Sequence, residues 1–115
     1  MVQMNPTVGD LDGNVRRITT WLREAKKAKA DLVAFPELAI TGYPPEDLLL
    51  KPRFVADNRR ALQEIIRHCR GLAAVVGYVS QSDGGIEPKL ARPPVVPAGA
   101  HELKGFEGKH EFFSY

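Results

Sequence analysis

Apolar positions recur at Val15, Ile18, Leu22 and Ala25, three or four residues apart, with Trp21 beside them. That stripe has the helical period and predicts an amphipathic helix over residues 14–29, with Asp12 or Asn14 available as its cap. A second stripe, Phe54, Ala61, Leu62, Ile65, Ile66 and Cys69, predicts a helix over about residues 53–70. Two short apolar runs without alternation, Asp31–Phe35 closed by Pro36 and Leu72–Val79, suit strands buried on both faces. The order helix, strand, helix, strand predicts an α/β fold with right-handed crossovers and a parallel sheet.

The pattern weakens at both ends. Asn5–Asp10 is rich in turn residues, so any strand among Met1–Met4 is two to four residues long. Beyond Gln81, residues 82–115 hold nine of the nineteen glycines and prolines, and their apolar residues follow neither period. The segment 81–115 therefore reads as a divergent tail, disordered or irregular, whose closing Phe106, Phe112, Phe113 and Tyr115 have nothing evident to pack on.

At 115 residues and 43% hydrophobic, the chain suffices for one small domain and a modest core. The formal charge of +2 gives no strong field for nucleic acid or an anionic membrane. Arg16, Arg17, Arg23, Lys26 and Lys27 on the outer face of the first helix thus read as a solvated surface. One cysteine excludes an internal disulfide and a cysteine-built zinc site, and fits a reducing cytoplasm. The sequence shows neither an apolar run long enough to span a membrane nor a signal-type leader. His101 and His110 lack metal-ligand spacing, so no metal site is expected.

Candidate chemistry gathers in residues 35–50. Glu37 follows the carboxyl end of a buried strand, where parallel α/β sheets form ligand crevices. Among Phe35, Leu38 and Ile40 it is expected to be partly desolvated, raising its pKa toward the range of a general base, although an ordinary turn glutamate fits its position as well. Thr41-Gly42-Tyr43-Pro44-Pro45 is expected to form a tight turn that holds Tyr43 rigidly, in reach of the same pocket. Pro45 then suits the first turn of a short helix carrying Glu46 and Asp47.

Three phrases resemble the carbon–nitrogen hydrolase (nitrilase) superfamily. They are Gln3–Asn14, Ala30–Leu38 and Thr41–Leu49, the last being similar to the amino-terminal glutaminase domain of the glutamine-dependent NAD(+) synthetases. The resemblance covers roughly residues 2–80 and implies the opening part of an α-β-β-α sandwich. It also implies a reaction in which a cysteine thiolate attacks glutamine, a glutamate moves protons, a lysine stabilises the oxyanion, and ammonia leaves. Glu37 matches the family's glutamate, as general base, and Tyr43 a tyrosine near its glutamine pocket. ATP and Mg belong to the family's separate synthetase domain, so no cofactor is expected on this chain.

The lysine and cysteine have no counterparts. Lys89, Lys104 and Lys109 lie in no matching phrase. Cys69 sits on the apolar stripe of the second helix and reads as a core residue, with the neighbouring His68 on another face. Such a chain is expected to be inactive alone, with its reading frame lost near residues 80–90 and its start displaced downstream. Two alternatives stay open: a relative acting on another amide or carbamoyl compound, and a non-catalytic interaction module that self-associates through the open edge of an incomplete sheet.

Overall fold

Asp10 opens the first helix, α1 (Leu11–Lys27), its carboxylate accepting the Gly13 N–H at 2.9 Å. This is an N-cap in which a side-chain oxygen satisfies one of the free N–H groups of the first turn. The expected caps Asp12 and Asn14 instead lie inside the helix, and the Asn14 side chain is bonded to other segments. At the other end Ala30 N–H reaches Ala25 O and Lys29 N–H reaches Lys26 O, with Lys29 in the left-handed region at φ +56°. These two bonds form a Schellman termination with lysine where glycine is usual.

The structure is a computed structural model that describes the backbone of residues 1–82, 85–91, 97–101 and 110–113 and the side chains of residues 1–80. After α1 the chain enters β1 (Leu32–Ala34), then a buried turn and a short 3-10 helix (Glu46–Leu50) capped by Pro45. Pro45 thus stands one position before the helix in which it was expected. Then follow α2 (Pro52–Arg67), with proline at its start, and β2 (Ala73–Ser82). β1 and β2 pair in parallel, Leu32 opposite Ala73 and Ala34 opposite Val75, as the alternation of helices and strands predicts. At the amino terminus the expected short strand is reduced to an extended contact, Val2 N–H donating to Ala34 O at 2.8 Å.

The core lies between this sheet and the two helices. Ile18 and Leu22 of α1, Leu62, Ile65 and Ile66 of α2, and Val33, Phe35, Ala74 and Val76 around the strands form one buried cluster, joined by Cys69 and Leu72. Removing this apolar surface from water is the main stabilising term, about 25 cal/mol per Å². One polar group joins the packing of α2 on β2: Asn58, fully buried, donates from Nδ2 to Val79 O at 2.5 Å.

β2 runs on to Ser82, and the described parts of the segment beyond it are β3 (Gly85–Ala91), β4 (Pro97–His101) and β5 (His110–Phe113). β3 pairs antiparallel with β2, giving the order β1-β2-β3, while β4 and β5 pair antiparallel as a separate two-stranded sheet. β3 is an edge strand among the described residues, and an edge tolerates Pro88 because its missing N–H forfeits no ladder bond on the open side.

Candidate functional site

The turn after β1 carries the carboxylate singled out by sequence. Residues Glu37–Thr41 form it, closed by Gly42 N–H donating to Leu38 O at 2.8 Å. Leu38, Ala39, Ile40 and Thr41 are all buried, whereas Glu37 is exposed. Phe35, Leu38 and Ile40 were expected to shield Glu37. Their side chains go into the interior instead, so the carboxylate stands above its apolar neighbours, in water.

Three close approaches hold this turn. Gly42 has φ +77°, and a Cβ there would lie 2.6 Å from Val8 Cα, so the turn and the Asn5–Asp10 loop touch backbone to backbone. Gly9 N–H donates to Thr41 O at 2.9 Å across the same contact. Beneath, a Cβ on Gly77 of β2 would lie 2.6 Å from Leu38 N and 3.3 Å from Glu37 Cα. Leu38 itself has φ +49°, a left-handed conformation that costs an ordinary L-residue about 1–2 kcal/mol. Such strain persists only where surrounding contacts over-determine it.

Asn14 binds the assembly from the side. Its Nδ2 donates to Thr7 O at 2.8 Å and Ile40 O at 2.9 Å, and its Oδ1 accepts from Thr7 N at 2.8 Å and Arg17 Nη1 at 3.1 Å. Sequence reasoning missed both Asn14 and Gly77 as site-building residues. The signals were present: Asn14 lies four residues before Ile18 on the buried stripe, and an isolated glycine in an apolar strand marks close backbone approach.

Tyr43 follows Gly42 at the end of the turn. It is 68% exposed. Two clefts lie at α1, one of about 570 Å³ against Phe54, Asp57 and Ala61 of α2, the other of about 340 Å³ beside Arg16, Thr20 and Trp21. Neither includes Glu37 or Tyr43. The described elements support the turn from below and from one side, which leaves its outer face open.

Cys69 is 1% exposed, and its Sγ donates to Ile65 O at 3.3 Å. Burial pushes its thiol up to about 11, a rise that Lys26 offsets only in part. A thiol so placed is a poor nucleophile at neutral pH. His68 caps α2, with Nδ1 2.9 Å from Glu64 O, and makes no bond to Cys69.

Residues 1–88 match the carbon-nitrogen hydrolase family, which covers most of the chain. The chain belongs to that family. It is 40% identical over 85 residues to a glutamine-dependent NAD(+) synthetase of Thermotoga maritima, covering 72% of the chain and 15% of that relative. A synthetase of the same description from Xanthomonas campestris is 47% identical over 87 residues, covering 75% of the chain and 16% of the relative. The chain thus spans about 15% of the length of these relatives. Among solved structures it is similar to the glutamine-dependent NAD+ synthetase of Acinetobacter baumannii, with a TM-score of 0.74, 30% identity, and coverage of 92% of the chain and 21% of that protein. An amidase from Nesterenkonia shares the fold at a TM-score of 0.65 and 21% identity, over 79% of this chain and 36% of its own. The partial α-β-β-α sandwich implied by the sequence is therefore the fold of this family member.

Proposed function

We propose that the chain supplies the general base of a glutamine-hydrolysing site of the kind found in glutamine-dependent NAD(+) synthetases, with Glu37 as that base. The supporting observation is the buried, multiply bonded turn that exposes one carboxylate just past a parallel strand, in a chain 40–47% identical to such synthetases over 85–87 residues. In this reading Glu37 accepts the proton of an attacking thiol and returns it to the departing ammonia. Tyr43, exposed six residues on, contacts glutamine from the rim.

The thiol comes from outside this chain's only cysteine, because Cys69 is buried and bonded within α2. No helix among the described residues is long and apolar enough to cross a membrane. The cytoplasmic location suggested by the lone cysteine belongs to this same proposal. In this reading ATP and Mg belong to a synthetase domain distinct from the glutamine-hydrolysing one. Self-association through an open edge of the incomplete sheet belongs to the same proposal.

The test is reconstitution. The full chain is mixed with a glutamine-dependent NAD(+) synthetase lacking its own corresponding segment, and ammonia release from glutamine is followed. Restored release supports the proposal, and a folded chain that restores none contradicts it.

A further inference from the structure

A fully buried asparagine on a helix is costly unless all its polar atoms are matched. Asn14 meets that condition with bonds that leave its own helix for two loops. Both Nδ2 hydrogens go to backbone carbonyls, Thr7 O and Ile40 O, while Oδ1 receives Thr7 N–H and the Arg17 guanidinium. With carbonyls opposite Nδ2 and donors opposite Oδ1, one amide orientation satisfies the network. The side chain is consequently fixed in place, and so is what it holds.

Ile40 is three residues beyond Glu37 in the same turn, and its carbonyl has Asn14 Nδ2 at 2.9 Å. The next carbonyl, Thr41 O, receives Gly9 N–H from the loop that Asn14 binds at Thr7. Asn14 therefore ties α1, the Asn5–Asp10 loop and the Glu37–Thr41 turn into one body. It touches neither the Glu37 carboxylate nor any atom that would react.

We propose that Asn14 is the positioning residue for Glu37, fixing the turn to α1 so that the carboxylate is presented at one place. The inference rests on the reading of Glu37 as the base and explains how an exposed side chain can meet that role. A base must be held within about half an ångström of its productive position, and a displacement near 1 Å costs about 100-fold in rate. For a residue on the surface, that precision has to come from the backbone beneath it.

Asn14→Asp and Asn14→Leu in the full chain test this. Asp keeps an acceptor for Thr7 N–H but sets oxygen against the Thr7 and Ile40 carbonyls, and Leu removes every bond. The first readout is amide hydrogen exchange of the chain alone. Protection of Gly9 and Gly42 is expected to fall at least about tenfold, while Phe35 and Ala73, bonded to Val75 O and Asp31 O, keep theirs. The second is glutamine hydrolysis in the reconstituted complex, where kcat is expected to fall about 100-fold with KM within about threefold. Unchanged protection at Gly9 and Gly42, a loss spread evenly over β1 and β2, or unchanged kcat overturns the proposal. Should both variants unfold, Arg17→Ala decides, removing the bonds to Asn14 Oδ1 and Thr7 Oγ1, with Thr7→Val removing the second alone: a selective loss at Gly9 and Gly42 in Arg17→Ala beyond that in Thr7→Val supports it, and an unchanged pattern or an equal loss in both overturns it. If the wild-type chain restores no hydrolysis, the reading of Glu37 fails, while the exchange pattern still decides whether Asn14 fixes the turn.

Discussion

Gly77 lies directly under Glu37: a methyl group at position 77 would stand 3.3 Å from Glu37 Cα and 2.6 Å from the next backbone nitrogen. The strand that completes the parallel pair is thus also the floor of the turn that presents the carboxylate. Gly77→Ala is expected to push the turn outward and destabilise the chain by about 1–3 kcal/mol, the usual range for overpacking. Gly71→Ala is its control, since Gly71 has φ +75° but open space around it, so only the backbone cost of about 1 kcal/mol applies. Urea midpoints compare the two. Amide shifts at Leu38 are expected to move only in the Gly77 variant.

Lys29 occupies a left-handed position that glycine adopts without strain. Lys29→Gly is expected to raise stability by about 1 kcal/mol, provided the Schellman bonds from Lys29 and Ala30 persist. Thermal or urea unfolding checks this, and a loss of stability would show that the lysine side chain contributes more than its backbone costs.

Cys69 makes stability depend on pH in an alkaline window. Its thiol rises from 9.0 to about 11 on folding because burial disfavours the thiolate. The unfolded chain therefore loses its proton first, and the contribution is complete below pH 9 and lost as pH climbs toward 11. About 2–3 kcal/mol is at stake on that shift. The difference in unfolding free energy between wild type and Cys69→Ala, followed from pH 8 to 11, is expected to shrink by that order. Alkylation of the native thiol at pH 8 is expected to be slow and to become fast on unfolding.

The chain alone is expected to release no ammonia from glutamine above the level of Glu37→Gln, because its one thiol is buried. Release that depends on Glu37 in the isolated chain would show that a nucleophile other than Cys69 is at hand.

Local pattern made the framework legible. Ile18 and Leu22 mark the buried side of α1, and the unalternating runs at Val33 and Val76 mark the paired strands, because burial of periodic apolar positions is what forms these elements. Bonds between segments distant in sequence were not legible. Asn14 read as a cap because asparagine favours that role, whereas its partners at Thr7 and Ile40 become neighbours only after folding. Glu37 read as shielded because its sequence neighbours are apolar, yet a turn sends Phe35, Leu38 and Ile40 inward and leaves the carboxylate outside.

The most direct measurement is glutamine hydrolysis by a synthetase lacking its corresponding segment, supplied with either the wild-type chain or Glu37→Gln. The account predicts that the wild-type chain restores ammonia release and that Glu37→Gln, folded and bound equally well, restores at least about 100-fold less, as expected for loss of a general base. Equal restoration by both chains would contradict the assignment of Glu37.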